Sequence, residues 1–315
     1  MKVVALAGGV GGAKLVDGLA RCLDSSDLTV IVNTGDDFDF LGLRICPDLD
    51  TVCYTLAGIN HDRTGWGRAE ETWNALRTLE QLGAPTWFGV GDKDLGYHIY
   101  RTDQIRAGRT LSEIVSDFCQ KFGIDVKVLP MSDDNVSTRV HSKDGSVYPF
   151  QEYFVHQRCV PQVSGFEFVG IDKSHPSPGV ITAILEADCV VICPSNPWVS
   201  VDPILKVPGI RAALLDKPVV AISPLIQGAA VKGPAAKMYK ELGIKPSSVA
   251  VSRHYQGLIK AIMIDHKDEK EADEISHQGI IPIVTDVFMK SVEDRKRLAF
   301  ELMHFCERYF EGGNQ

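Results

Sequence analysis

The segment Val3-Val4-Ala5-Leu6-Ala7, followed at once by Gly8-Gly9-Val10-Gly11-Gly12-Ala13-Lys14, decides the fold. Consecutive apolar residues without alternation are typical of a parallel strand that is covered on both faces. A helical pattern over Ala13–Leu23 follows the glycines. Glycines let the backbone turn tightly and approach a ligand, and the free N–H groups at a helix start attract an anion. We therefore predict a strand, a phosphate-binding turn and a helix at the N-terminus.

This glycine loop does not identify a particular nucleotide. Gly9-x-Gly11 matches part of the dinucleotide fingerprint, but Lys14 stands where the third glycine is required. A P-loop needs glycine before the lysine and Ser or Thr after it, whereas Ala13 and Leu15 occupy these positions. The loop predicts a phosphate ligand, with a purely structural turn as the alternative.

Buried strands and helices alternate along much of the chain. The other strand-like apolar runs are Leu28–Val32, Cys189–Cys193, Pro218–Ser223, Ala261–Ile264 and Ile280–Val284. The helical patterns among them are Pro203–Leu215, Pro234–Leu242 and Val292–Tyr309. Such alternation predicts an α/β fold with a doubly wound, mostly parallel, Rossmann-like sheet.

The pattern changes in the middle of the chain. Arg68–Leu82 and Leu111–Phe122 predict helices, while Val126–Pro130, Val136–His141 and Ser146–Phe150 alternate like antiparallel strands. We therefore expect two domains. Residues 1–41 and 175–315 form a Rossmann-like nucleotide-binding domain, and residues 42–174 form an inserted α+β region.

Composition excludes several classes of function. The 315 residues carry a formal net charge of −8 and no basic run, which argues against nucleic acid or an anionic membrane as a partner. The apolar runs are far shorter than the roughly 20 residues of a membrane span, and the N-terminal run leads into glycines rather than a cleavage site. We expect a cytoplasmic protein whose eight cysteines, which include no Cys-x-x-Cys pair, are mostly buried reduced thiols.

Four aspartates follow the second predicted strand. Asp36 and Asp37 come directly after it, and Asp48 and Asp50 follow shortly afterwards. Ligands of open α/β sheets bind at the carboxyl ends of the strands, and carboxylate oxygens suit Mg²⁺ that bridges to phosphate. The alternative is that these residues cap a helix or an Asx turn.

Later loops add aromatic and polar groups. Trp66, Trp87 and Phe88 could form a flat wall for a planar ring beside Asp92-Lys93-Asp94, although core packing is the commoner role of aromatic residues. Pro194-Ser195-Asn196-Pro197 presents hydrogen-bonding groups at a strand end. Gly228 and the Lys232-Gly233-Pro234 helix start follow the next strand. These loops are predicted at one edge of the sheet.

Together these residues resemble the 2-phospho-L-lactate transferase (CofD) family of deazaflavin coenzyme F-420 biosynthesis. Nine segments spread over nearly the whole chain carry the resemblance: Ala7–Lys14, Asn33–Asp37, Pro47–Val52, Gly65–Gly67, Trp87–Phe88 with Gly91–Asp94, Met131–Asp134, Phe150–Val155, Pro194–Pro197, and Ser223–Pro224 with Lys232–Pro234. The resemblance implies transfer of a 2-phospholactyl or phosphoenolpyruvyl group from lactyl-2-diphospho-5′-guanosine, or its enolpyruvyl counterpart. The acceptor is the ribityl hydroxyl of the deazaflavin precursor FO. The products are coenzyme F-420-0 and GMP, Mg²⁺ is the cofactor, and the enzyme is a homodimer.

The resemblance and the residues together give site expectations. Expected to be catalytic and metal-binding are Asp36, Asp37 and Asp50. Expected to bind the nucleotide and its phosphates are Gly8, Gly9, Gly11, Gly12, Lys14, Ser195, Asn196, Gly228 and Lys232. Expected to bind the acceptor are Asp50, Trp66, Trp87, Phe88, Asp92, Lys93 and Asp94. Lys93 stands where the family pattern leads us to expect arginine, and a lysine keeps the charge but loses bidentate geometry. His61 and His98 are weaker candidates, for which a structural role is favoured.

Two other classes of function compete. A sister family of non-catalytic, nucleotide-sugar-binding regulators shares the glycine loop and the Ser-Asn-Pro turn, but gives no reason for aromatic residues beside Asp92-Lys93-Asp94. A nicotinamide-dependent dehydrogenase is disfavoured because the fingerprint is broken and Asn33 stands where an acid is expected.

Overall fold

The computed structural model describes residues 1–311. Its strands are β1 (Val3–Ala7), β2 (Leu28–Val32), β3 (Phe38–Phe40), β4 (Leu43–Ile45), β5 (Lys127–Pro130), β6 (Ser137–Ser142), β7 (Val147–Pro149), β8 (Val163–Val169), β9 (Cys189–Ile192), β10 (Val219–Ile222), β11 (Leu225–Ile226), β12 (Ala229–Ala230), β13 (Ala261–Asp265) and β14 (Ile281–Thr285). Its α-helices are α1 (Gly9–Cys22), α2 (Pro47–Leu56), α3 (Asn74–Gln81), α4 (Asp92–Arg106), α5 (Leu111–Lys121), α6 (Val180–Glu186), α7 (Asp202–Lys206), α8 (Ile210–Leu214), α9 (Ala235–Glu241), α10 (Ser248–His254), α11 (Ala272–Ser276) and α12 (Val292–Cys306).

Seven of these strands form one parallel sheet in the order β14-β13-β10-β9-β1-β2-β5. The chain builds β1, β2 and β5 towards one edge, then returns to the centre with β9 and continues to the other edge. The strand order therefore reverses between β1 and β9, which is the position where open α/β sheets bind ligands. This confirms the predicted α/β fold and brings the glycine loop beside the loop that follows β9.

Apolar residues cover both faces of the sheet. Leu6 and Ile31 belong to one buried cluster, and Ala5 and Val30, their neighbours along the strands, belong to the other. Burial on both faces explains why these strands read as continuous apolar runs. Within residues 1–311 no helix combines the length and the hydropathy that crossing a bilayer requires.

The middle of the chain differs from the expectation in detail. Lys127–Pro130 pairs in parallel with β2 and is an edge strand of the central sheet, so the antiparallel interpretation of this run was wrong. The antiparallel sheet of this region has the order β7-β6-β8. Residues 42–174 therefore contribute both to this sheet and to the central one, and the division into two domains stays a prediction.

One predicted helix is broken. Two helices, α7 and α8, replace the single helix predicted over Pro203–Leu215. Helix α7 ends before Val207, whose ψ of 126° is extended as expected for a residue before a proline, Pro208. Helix α8 starts after Gly209, which has a φ of 91°.

Candidate active site

A cleft of about 700 Å³ opens at the carboxyl ends of the central strands. Of the residues predicted from sequence, it is lined by Gly8, Gly9, Gly11, Lys14, Asp36, Asp50, Trp66, Phe88, Asp94, Ser195, Asn196 and Lys232. The predicted residues that do not line it are Gly12, Asp37, Trp87, Asp92, Lys93 and Gly228. Most of the separate loops therefore meet in one cavity, as the strand topology requires.

The glycine loop is fixed by Asp48 and Ser195. Gly9 donates its N–H to Asp48 Oδ1 at 2.7 Å. Gly8 donates its N–H to Ser195 Oγ at 3.2 Å, and that hydroxyl donates to the Gly8 carbonyl at 2.8 Å. A Cβ built on Gly8 would lie 2.7 Å from Asp48 Oδ2, so a larger residue does not fit there. The loops after β1 and β9 and the start of α2 thus form one rigid unit.

Two lysines supply positive charge at this end of the cleft. Lys14 Nζ donates to the Met289 carbonyl at 2.7 Å, and Lys232 Nζ donates to the Thr64 carbonyl. Burial lowers the pKa of both ammonium groups, and the pKa of Lys14 is lowered further by Arg295 and by Lys232 itself. Two cations close to the N-terminus of α1 suit a diphosphate ligand.

Gly12 and Gly228 are structural. A Cβ on Gly12 would lie 2.8 Å from Ser195 Oγ, and a Cβ on Gly228 would lie 2.8 Å from the Pro246 carbonyl oxygen. Gly228 also has a φ of 70°, which favours glycine. Both residues permit close packing around them, but within the described chain neither lines the cleft.

A cluster of charged groups around Asp50 also lines the cleft. Helix α2 begins with Pro47, so Asp50 lies in its first turn. The Asp50 carboxylate forms an ion pair with Arg101 of α4. Asp50 Oδ2 lies 3.7 Å from His98 Nδ1, and His98 Nε2 lies 3.2 Å from Asp94 Oδ2. Tyr54 donates its hydroxyl to Asp94 Oδ1 at 2.5 Å. One chain of contacts therefore joins α2 to α4.

Asp50, Asp94 and His98, named here the Asp50 cluster, could hold a metal ion. One ligand atom from each lies within 4.8 Å of the others. Asp50 Oδ2 is buried and has no hydrogen-bond partner within residues 1–311, which is what a metal-binding oxygen would show. Burial raises the pKa of Asp50 against the opposing effect of Arg101. Burial would also raise the pKa of Asp94, but His98 and Tyr54 outweigh it and lower that pKa.

Asp36 and Asp37 do not belong to the Asp50 cluster, although the charges of Arg101 and Asp50 both shift the pKa of Asp37. Asp36 lines the cleft, and burial followed by the charge of Asp48 raises its pKa well above the usual value. Burial raises the pKa of Asp37 to about 8, while Cys46 and Arg101 oppose the shift. The close set of metal-ligand atoms therefore contains Asp50 but neither Asp36 nor Asp37.

The aromatic residues divide between the cleft and the core. Phe88 lines the cleft, and so does Trp66, whose surface is 51% exposed. Trp87 stacks on His156 at 5.3 Å between ring centres and packs edge-on against Phe40 at 5.1 Å. Trp87 therefore supports the wall from behind, as the core-packing alternative proposed.

Asp92 and Lys93 have a capping and a solvent-facing role instead of a place in the cleft. Asp92 accepts hydrogen bonds from the Thr72 hydroxyl at 2.5 Å and from the backbone N–H groups of Asn74 and Ala75 at 3.0 Å each. It therefore caps the start of α3. Lys93 is exposed, and its ammonium group lies 3.6 Å from a Glu70 carboxylate. Neither residue lines the cleft, and the expectation that they bind the acceptor stays a prediction.

A family model described as 2-phospho-L-lactate transferase CofD matches residues 3–302. The chain belongs to the CofD family. Curated relatives named phosphoenolpyruvate transferase include one from Kitasatospora aureofaciens, 40% identical over 320 residues that cover 99% of this chain and 100% of the relative. Another from Thermobifida fusca is 43% identical over 281 residues, which cover 85% of this chain and 87% of the relative.

A solved structure of a UPF0052-family protein from Bacillus halodurans superimposes with a TM-score of 0.62 at 17% identity, covering 96% of this chain and 98% of that one. At this identity the likeness concerns the fold alone. Family membership makes this CofD protein a transferase and does not favour the regulator interpretation.

Sequence reasoning missed or underrated four polar residues of the CofD cleft region. It names Asp48 only as one of four aspartates that suit Mg²⁺ and His98 only as a weaker candidate, and it does not single out Tyr54 or Arg101. A signal did exist, because Asp94, His98 and Arg101 are spaced four and then three residues apart, which places them on one helix face. The signal was lost because α4 was not predicted.

Proposed function

We propose that this chain transfers a phosphoenolpyruvyl group from its guanosine diphosphate-linked donor to the ribityl hydroxyl of FO, releasing GMP. The curated relatives named above support the enolpyruvyl donor, and the family description supports the lactyl donor as the second candidate. The observation that carries the proposal is the single cleft, which is lined both by the glycine loop and by a carboxylate cluster with aromatic rings.

The diphosphate of the donor binds at the glycine loop in this proposal. Gly11 and the other N–H groups at the start of α1 donate to its oxygens, and Lys14 and Lys232 neutralise its charge. Ser195 and Asn196 line the same end of the cleft and orient the nucleotide. Positioning and charge stabilisation supply most of the rate enhancement in phosphoryl transfer.

The acceptor binds at the other end. The deazaflavin ring lies against Phe88 and Trp66, with its ribityl chain directed towards Asp50. The ribityl oxygen attacks the phosphorus that carries the enolpyruvyl group, the bond to the bridging oxygen breaks, and GMP leaves. Asp50 orients the hydroxyl, and the proton that the hydroxyl loses passes to Asp36, the second catalytic carboxylate of the cleft.

We assign a divalent cation, Mg²⁺, to the Asp50 cluster. Mg²⁺ prefers oxygen ligands, so Asp50 and Asp94 would hold the ion, with His98 beside them. When bound, the ion neutralises negative charge that develops on the diphosphate. The homodimer and the cytoplasmic location stay predictions.

The test is a transfer assay with each donor. Purified protein is incubated with FO, Mg²⁺ and either the enolpyruvyl or the lactyl guanosine donor, and the products are identified by mass spectrometry. We expect GMP and a phosphodiester of FO, formed faster with the enolpyruvyl donor. Faster transfer from the lactyl donor would reverse the choice of donor, and no phosphodiester with either would reject the function.

A further inference from the structure

Helix α4 presents a charged face to α2. Asp94, His98 and Arg101 lie on that face, and Tyr97 lies next to it. Arg101 is completely buried, with a side-chain exposure of 0%. A fully buried arginine is rare and is found where its charge is paired.

The guanidinium group of Arg101 is held by three contacts. It forms the ion pair with Asp50 Oδ1, its Nη1 atom donates to the Arg44 carbonyl at 3.2 Å, and it lies 4.3 Å from the centre of the Tyr97 ring. These contacts use the planar, delocalised shape of guanidinium, which a lysine ammonium cannot reproduce. The position of Arg101 is therefore fixed from several sides.

We infer that Arg101 is a positioning residue for the transfer: it holds one oxygen of Asp50 so that the other, Oδ2, remains in a fixed place for the reaction. The inference rests on the proposed function, in which Asp50 works on the acceptor hydroxyl. Its physical basis is that Asp50 Oδ1 is engaged by Arg101, whereas Oδ2 has no hydrogen-bond partner within residues 1–311. Arg101 does not line the cleft, so it acts through Asp50 rather than on a substrate.

The experiment compares Arg101→Met, Arg101→Lys, Asp50→Asn and the double variant Asp50→Asn/Arg101→Met. Arg101→Met lowers kcat by about a hundredfold or more, while the KM values and the calorimetric Kd for GDP stay within about threefold. Arg101→Lys keeps the charge and recovers part of kcat. In the Asp50→Asn background, removing Arg101 changes the residual kcat by less than about threefold, because the group that it positions is already gone.

The matched control is Arg109→Met. Arg109 also pairs with a carboxylate, Asp117, at 2.6 Å, but it lies outside the cleft lining. Its loss leaves kcat within about twofold of the wild type. This control shows whether the fall in kcat is specific to Arg101 or follows the loss of any paired arginine.

Melting temperatures show whether a variant loses activity because it is less stable. Removing Arg101 alone leaves the buried Asp50 charge unpaired, so Arg101→Met melts lower than the wild type and Asp50→Asn/Arg101→Met recovers part of the loss. If Arg101→Met does not fold, the inference is tested by comparing kcat of Asp50→Asn with kcat of the double variant. Wild-type kcat in Arg101→Met, or a further large loss of kcat in the double variant, overturns the inference.

The proposed function can fail separately. If the wild-type protein transfers neither group, the proposed function is rejected, and the melting-temperature cycle still measures whether Arg101 acts on Asp50. Recovery in the double variant then supports the structural link. Purely additive changes in melting temperature overturn it.

Discussion

Gly11 lies so close to the carbonyl oxygen of Pro194 that a Cβ built on Gly11 would sit 2.3 Å from that oxygen. Gly11 lies in the first turn of α1 and Pro194 lies in the loop after β9, on either side of the reversal in strand order. The glycine is therefore required for close packing of α1 against the loop that follows β9. Both residues line the cleft, so this contact sets the shape of that part of its wall.

Gly11→Ala tests that contact. Overpacking against backbone costs about 1–3 kcal/mol of stability, and the displaced loop weakens GDP binding by about tenfold or more. Differential scanning fluorimetry and calorimetry measure the two effects. The control is Gly96→Ala on α4, where an added Cβ meets nothing within 4 Å and alanine favours the helix. Equal behaviour of the two variants would contradict the role of Gly11.

Lys14→Met tests the cation at the start of α1. Loss of one phosphate-binding ammonium group raises the Kd for GDP by about tenfold or more and lowers the sensitivity of binding to salt. Calorimetry at two salt concentrations measures both. Lys290→Met, which removes an exposed ammonium group outside the cleft lining, keeps the wild-type Kd. An unchanged Kd in Lys14→Met would place the diphosphate elsewhere.

Asp50→Ala tests whether transfer and GDP binding depend on different parts of the cleft. Transfer falls by about a thousandfold or more, because the variant loses the group that orients the acceptor hydroxyl. The Kd for GDP stays within about threefold, since Lys14 and the glycine loop are intact. Single-turnover kinetics and calorimetry measure the two quantities. Wild-type turnover in this variant would remove Asp50 from the mechanism.

Asp37→Asn tests a buried carboxyl group through pH. Burial raises the pKa of Asp37 to about 8. The folded protein therefore binds this proton more tightly than the unfolded chain, and stability is lost as the pH rises from about 4 to about 8. An amide has no proton to lose, so the melting temperature of the variant relative to the wild type rises across this range. A difference in melting temperature between variant and wild type that is constant from pH 5 to pH 8 would show that Asp37 does not titrate as inferred.

The sheet was predictable because its strands are buried on both faces. Continuous apolar runs such as Val3–Ala7 identify such strands without knowledge of their partners, and strand alternation with helices fixes the fold class. Lys127–Pro130 was assigned to the wrong kind of sheet, because a four-residue strand carries no signal for the direction of its neighbour. The start of α4 was missed because Asp92 and Gly96 are poor helix formers and its inner face is charged.

The site was predictable where backbone geometry decides it. Gly8, Gly9 and Gly11 follow a strand and open a helix, a local pattern that alone indicates an anion site. Trp87 and Asp92 were assigned to the cleft because sequence gives the distance of a residue from a motif but not the direction of its side chain. Arg101 could be found only through its spacing from Asp94 and His98 on α4, because its pairing with Asp50 joins residues 51 positions apart.

The central claim is that donor and acceptor occupy different ends of one cleft at the same time. A fluorescence titration with FO, in Mg²⁺ and with or without saturating GDP, measures this directly. The account predicts saturable quenching of FO at one site per chain, with a Kd that GDP leaves unchanged or tightens. Displacement of FO by GDP, or no saturable change in FO fluorescence, would contradict it.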